Sequence, residues 1–491
     1  MKLFRTEFLL PSTIVLLQLL LTPPLAGGNL EQRMANLHAR FGVRPENAGI
    51  LMVEYPSGRT LYQQNPDTPY IPASNMKLLT ALAALDILGP DHKFQTTLYE
   101  DDPDSSDASI RHLYVKGGGD PTLSGRFYRE RTTVFRNWAR KLRSGGIKSI
   151  RGNLVLDDTI YESVQRHSTW NRYQHSFWYT APVNGLPFND NCVYVRVLPR
   201  SPGQKAKITV DPPGSPIRIL NQTRTVSEDP QAGIKFKRLK NTWKIRVRGH
   251  IRPKTARREW ITVPDATRFF GTVFNHVLEQ RGIDVRGRVR RGSVPDHPAP
   301  DRLLVHRTPL KKALRVTLEN SQNLFAETLF KQIGHIKHGT GSWPSAVRTI
   351  RSWLDRHGPD RSVCRIVDGS GLSRQNRLTP RFLVGLLRRW VTRDELRTYL
   401  DRLPVAGVKG TLDDRLTDAP YKGRIAAKTG TLDGVISLSG IAGKQPSPRE
   451  DRPLLLFSIL VNQSDLPSGR ARHFVDNSAR AALDELLRRR R

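Results

Sequence analysis

The chain has 491 residues, 37% of them hydrophobic and 8% aromatic, and a formal net charge of +34. That length exceeds what one hydrophobic core serves and sets an expectation of about three domains. The 34 prolines and 37 glycines are spread along the chain, which excludes collagen-like and low-complexity classes, and no repeat of fixed period is found.

Residues 1–28 carry Lys2 and Arg5 ahead of an apolar run from Phe8 to Leu21 and end in Ala26-Gly27-Gly28. This is the pattern of a cleavable secretory signal. Pro11 and the shortness of the run argue against a retained membrane span. The segment contributes +1 (Lys2 and Arg5 less Glu7), so the mature chain keeps +33 (34 less 1). The expectation is an exported protein of the periplasm or cell-wall space, soluble or peripherally attached. Nucleic acid is excluded as a partner, because the basic residues are scattered and no aromatic-interleaved basic motif occurs. An anionic membrane or wall surface would suit the charge; so would a merely solvated arginine-rich exterior. The only two cysteines, Cys192 and Cys364, are no disulfide scaffold and read as buried, unpaired thiols.

Two short strands are predicted around Pro56-Ser57-Gly58 within 49–64. An almost wholly apolar helix follows over 74–88 and stops at Gly89-Pro90. From about 94 to 260 the texture is strand-like and broken by Gly, Pro, Asp and Asn, with 200–257 the most polar and turn-rich part. Helical periodicity returns at 265–282, 309–334, 344–357 and 380–401. Strands reappear in "RIAAKTGTLDGVISLSGIAG" and "RPLLLFSILVNQ", with a polar connection at 444–452, before an amphipathic helix at about 470–489.

Three short pieces carry chemistry: Ser74-Asn75-Met76-Lys77, Ser321-Gln322-Asn323 and Lys428-Thr429-Gly430-Thr431. Residues i and i+3 share one helical face, so Lys77 Nζ can reach Ser74 Oγ. Burial, a helix N-terminus and a second cation such as Lys428 all disfavour the ammonium, leaving an amine that can take the serine proton. The Ser74 N–H and a strand N–H opposite would form an oxyanion hole. Taken singly, Ser74 and Ser321 read equally well as helix N-caps. Lys428 lacks the glycine spacing of a phosphate loop and runs into a strand. His335 and His338 have no third ligand type nearby and read as surface histidines. Ser370, between two glycines, reads as a tight turn, and Met76 as core packing. No metal or organic cofactor is implied.

In order and element type the three motifs resemble those of the penicillin-recognising serine enzymes. The stretches "GGGDPTL", "APVNGLPFNDN", "DGSGLSRQNRLTP" and "LPVAGVKGTL" are similar to the class C low-molecular-mass penicillin-binding proteins, which are D-alanyl-D-alanine carboxypeptidases and endopeptidases. The resemblance implies an α+β fold, an antiparallel sheet flanked by helices and split by a large β-rich two-domain insertion. Lys77 and Ser321 stand 244 positions apart (321 less 77). The expected division is 29–93 with 305–491 for the catalytic domain, 94–199 with 258–304 for an inserted domain and 200–257 for a small nested β domain. It further implies Ser74 as the acylated nucleophile, Lys77 as its base, and Ser321, Asn323 and Lys428 as the proton network. Thr429, Gly430, Thr431 and Leu432 would bind the substrate's end, its carboxylate held by the two threonines. Asp158 and Arg374, with Leu432, would face the diamino-acid side chain. Asp158 reads equally as a turn carboxylate with Asp157 beside it, and Arg374 as a clamp on a loop. The implied partners are peptidoglycan stem peptides and β-lactams. A β-lactamase-like hydrolase and a non-catalytic basic wall-binding protein are the alternatives.

Overall fold

The computed structural model describes residues 29–101, 108–229, 231–296, 301–393, 398–443 and 454–489, so the signal segment 1–28 lies outside the described residues. The two ends of the chain meet in one antiparallel sheet, ordered Ile425–Leu432, Val435–Ala442, Leu454–Asn462, Ala48–Tyr55 and Thr60–Gln64. Val435–Ala442 is buried along its whole length and Leu454–Asn462 along nearly all of it, because helices cover both faces. Their runs of apolar residues follow from that double burial.

Side chains alternate between the two layers. Ile50, Met52, Phe457 and Ile459 pack under the helices Leu30–Phe41 and Ser468–Arg488. Leu51, Leu456 and Leu460 face the helices Met76–Leu88 and Pro380–Thr392. Met76–Leu88 is the central helix of this layer: all ten residues from Met76 to Leu85 are buried, which accounts for its apolar circumference. Helix Leu30–Phe41 is capped by the Asn29 side chain and ended by Gly42 at φ +70°; neither it nor helix Thr133–Ser144 stood out from the texture of its neighbourhood.

The predicted helical stretch 309–334 is two helices, Leu310–Glu319 and Asn323–His338, broken where Ser321 takes φ +57°. The predicted serine at the head of helix 74–88 instead lies in a one-turn 3-10 helix, Ala73–Asn75, ahead of the α-helix. Neither Ser74 nor Ser321 caps its helix.

The chain leaves and re-enters the part built on this first sheet through two paired strands, Lys93–Glu100 and Asp301–Pro309. They belong to a second five-stranded sheet with Leu113–Lys116, Leu154–Asp157 and Val289–Arg291. Helices Thr133–Ser144 and Ala266–Gln280 share its core through Phe135, Trp138, Phe270 and Phe274. Besides a small sheet of the two-residue strands Asp284–Val285, Ser149–Ile150 and Ser109–Ile110, there are two longer three-stranded sheets. One joins Arg257–Thr262, Cys192–Leu198 and Lys207–Asp211, so the expected edges at 200 and 257 fall inside a single sheet. The other joins Arg218–Thr225, Lys244–Ile251 and Ile234–Arg238. Cys192 and Cys364 are free thiols, the first buried and the second partly so.

Candidate active site

The three motifs converge. Ser74 sits on the 3-10 turn Ala73–Asn75, which lies against the strand Ile425–Leu432 and its neighbour: Ser437 Oγ, on the second strand, donates to the Pro72 carbonyl at 2.9 Å. Gly430 permits the approach. A Cβ there would overlap Ser437 Oγ and stand 2.9 Å from the Ser74 nitrogen. On the other side a Cβ at Gly371 would overlap the Ala73 carbonyl oxygen.

Lys77, the second residue of the helix and one turn beyond Ser74, is completely buried. Its Nζ lies 2.8 Å from Ser74 Oγ, 2.7 Å from Asn323 Oδ1 and 2.8 Å from the Ser370 carbonyl oxygen. Burial pushes its pKa down to about 7, against the upward pull of the Glu327 and Asp368 carboxylates. A neutral amine donates two hydrogens, enough for Asn323 and Ser370, and turns its lone pair to the serine hydroxyl.

Lys428 is likewise fully buried, and its Nζ donates to Ser321 Oγ and to the Thr429 carbonyl, each at 2.8 Å. Burial first and the Lys77 charge second hold its pKa well below the ordinary lysine value. The break at Ser321 turns its hydroxyl to Lys428, while Asn323, two residues on, starts the next helix facing Lys77. The Asn323 amide nitrogen donates to the Tyr179 carbonyl at 2.9 Å, which fixes its oxygen toward Lys77.

Thr429 Oγ1 and Thr411 Oγ1 are 2.6 Å apart. Ile425–Leu432 is an edge strand, and the Ala427 N–H bonds outward to the Pro404 carbonyl. Backbone alternation turns the Thr431 N–H to that same outer edge, and the Thr431 side chain is exposed. Arg374 donates to the Asp433 carbonyl at 2.7 Å, at the end of this strand next to Leu432. Asp158 goes elsewhere. It accepts from Thr267 Oγ1, lies 3.5 Å from Arg291, and makes no hydrogen bond to the three motifs among the described residues. Asp157 is buried and accepts from the Thr159 and Val294 backbone N–H groups.

Sequence reading missed Glu327. It stands one turn beyond Asn323 on the same helix, fully buried, accepting from the Gly369 and Ser370 N–H groups (3.2 and 2.7 Å) and from Trp343 Nε1 (2.8 Å). Burial, then the Asp368 charge, raises its carboxyl to about 7. It thereby holds Ser370, whose carbonyl meets Lys77. Thr80 closes the same clamp, donating to the Gly369 carbonyl at 2.7 Å. The i, i+4 spacing of Asn323 and Glu327 was the available signal. Ser370 is indeed on a tight turn, and its part in the site is played by its backbone. His335 and His338 serve locally, on the Gly339 carbonyl and on Thr349 Oγ1. No cluster of three or more His, Cys, Asp or Glu side chains suited to a metal occurs among the described residues.

A buried lysine aimed at a serine, a second lysine aimed at another, and an antiparallel sheet between helical layers define the penicillin-recognising class of serine enzymes. The chain belongs to the D-Ala-D-Ala carboxypeptidase 3 (S13) family, whose model matches residues 30–489. It is a serine-type D-Ala-D-Ala carboxypeptidase of peptidoglycan. It is 31% identical over 438 residues to a D-alanyl-D-alanine carboxypeptidase of Actinomadura sp. (strain R39), covering 86% of this chain and 78% of that one. It is 27% identical over 405 residues to the D-alanyl-D-alanine carboxypeptidase DacB of Haemophilus influenzae, covering 80% and 82%. The crystal structure of penicillin binding protein 4 from Haemophilus influenzae shares the fold, with a TM-score of 0.78 at 23% identity over 91% of this chain and 98% of that one.

Proposed function

We propose that the protein cleaves the D-Ala–D-Ala amide of peptidoglycan stem peptides through an acyl-enzyme on Ser74. One observation carries this reading: a wholly buried lysine stands 2.8 Å from the Ser74 hydroxyl with only neutral partners. Lys77 takes the Ser74 proton as Oγ attacks the penultimate D-alanine carbonyl. The Ser74 and Thr431 N–H groups hold the developing oxyanion. Ser321, Asn323 and Lys428 pass the proton to the departing D-alanine and serve hydrolysis of the ester, while Thr429 and Thr431 receive the substrate's terminal carboxylate. Cross-link cleavage is the same chemistry with a bulkier leaving amine. Arg374 and Leu432, beside the strand end, are the candidates for contact with the diamino-acid side chain; the hydrogen bonds of Asp158 to its own region do not favour it for that role. Glu327 acts as a positioning residue for Lys77.

The catalytic unit is read as 29–93 with 305–491, the strands 93–100 and 301–309 forming the neck to the inserted part. Export by the 1–28 segment to the periplasm or wall space belongs to the same proposal.

The test is the mass of the mature protein after brief exposure to benzylpenicillin, followed by peptide mapping. A lasting one-to-one adduct on the peptide containing Ser74, absent from Ser74→Ala, is expected. An adduct elsewhere would overturn the assignment of the nucleophile. Fast loss of the adduct with continuing penicillin turnover would favour a β-lactamase instead.

A further inference from the structure

The outer face of the sheet Arg218–Thr225, Lys244–Ile251, Ile234–Arg238 departs from ordinary protein surface. Its inner face carries Ile245, Val247 and Ile251, buried in the core of the inserted part with Phe236 packed against them, and also the buried polar side chains of Arg238, Thr223 and Thr225. Alternation sends the intervening residues outward. The strand register then sets them in rows, Arg218 beside Lys244, Lys237 beside Arg246 and Lys235 beside Arg248. These three cross-strand pairs are cation on cation, an arrangement that destabilises a sheet, while Leu220 and Gln222 flank Arg246 and Arg248 on the other side. Five of the six side chains are exposed and Arg246 is half-buried. Among the described residues none of the six forms an ion pair. An anionic partner would relieve this repulsion; within the chain the one carboxylate paired on this side of Lys244–Ile251, among the described residues, is Asp229, held by His250.

We propose that this sheet face adsorbs the protein to an anionic phospholipid bilayer. The positions that carry these cations form a two-dimensional array, about 5 Å apart across the strands and about 7 Å apart along them at the backbone, which matches a plane of phosphate headgroups better than a single polymer thread. No aromatic residue of the three strands shares the face, so no platform for stacking nucleic-acid bases exists. No described helix is long and apolar enough to cross a membrane, so the attachment is peripheral and electrostatic. The inference is independent of the acyl-enzyme chemistry.

The experiment is co-sedimentation of the mature chain with phosphatidylglycerol-containing vesicles, with pure phosphatidylcholine vesicles as comparison. Binding to the first only, lost as salt rises from about 0.05 to about 0.5 M, is expected. The double variant Lys235→Glu, Lys237→Glu should bind at least about 20-fold more weakly. It also turns two like-charge pairs into opposite-charge pairs, so its melting temperature should hold or rise. The same charge change at Arg143 and Arg472, both exposed on other elements, should leave binding within about threefold. Reaction with benzylpenicillin should be unchanged in both variants. Undiminished binding by the first variant, or equal loss in both, would overturn the assignment of the face. Wild-type binding to soluble polyphosphate with no vesicle binding would replace the bilayer by a soluble phosphate polymer. If the first variant loses stability, Lys244→Gln with Arg248→Gln removes two of the charges from another strand, and undiminished vesicle binding there overturns the proposal.

Discussion

Lys77 makes three hydrogen bonds, none to a carboxylate, and the Glu327 and Asp368 charges raise its pKa without touching it. A base lowered to about 7 is half neutral near that pH. The benzylpenicillin acylation rate should therefore fall about tenfold per pH unit below 7 and level off above it. Stopped-flow acylation from pH 5 to 9 checks this; a flat profile would assign the proton to another group. Glu327→Gln removes a charge that raises the Lys77 pKa, so the limb should move to lower pH. The amide also leaves some of its three backbone and indole donors unpaired, a cost of about 1–3 kcal/mol in stability, and should slow the plateau rate about tenfold by loosening Ser370. A merely structural carboxylate would lower the melting temperature and leave the pH limb in place.

Two backbone features decide the geometry at the level of elements. Ser321 breaks what sequence periodicity predicts as one helix, because φ +57° cannot continue an α-helix. Ser321→Gly should preserve the melting temperature, since glycine takes that conformation freely. It should still cost about 10²- to 10⁴-fold in peptide hydrolysis through loss of the hydroxyl. Ser321→Ala should lose the same activity and about 1 kcal/mol of stability besides. Gly430→Ala places a methyl against the Ser74 nitrogen and Ser437 Oγ, both held in place by their neighbours. Acylation should drop at least about 10²-fold, because displacement of the turn by a fraction of an ångström moves both nucleophile and oxyanion donor. Acylation kinetics and thermal melting of the two variants separate these effects.

In the whole molecule, the part that holds the three motifs is closed by contacts between the two ends of the described chain. Arg33, almost completely buried, meets Asp484 at 3.0 Å, and Tyr421 hydroxyl donates to the same carboxylate. Asp484→Ala leaves a buried guanidinium without its partner and should cost about 3 kcal/mol, read in thermal or denaturant unfolding, with acylation within about twofold of wild type. Such closure is invisible in a string where the partners stand 451 positions apart. The Ser74–Lys77 pair, by contrast, was legible: the i, i+3 relation is local, and an apolar helix carrying one lysine announces a buried amine. The Lys428 strand and the Ser321–Asn323 segment were legible as pieces with an order, and their resemblance to a known family supplied the roles. The charge of +34 was legible as a total, but the side-by-side placing of six of its cations depends on strand register. Glu327 was not legible, because its partners Gly369 and Ser370 lie on a loop 42 and 43 residues away. Nor was the distance of Asp158 from the motifs, since its neighbour Thr267 comes from a helix 109 residues on. Spacing within a few residues thus singled out the candidate groups, because helix and strand geometry is set by neighbours along the chain. Burial of the lysines, the fixing of the base and the placement of Asp158 were decided only in three dimensions, where desolvation and hydrogen bonding depend on segments brought together by the fold.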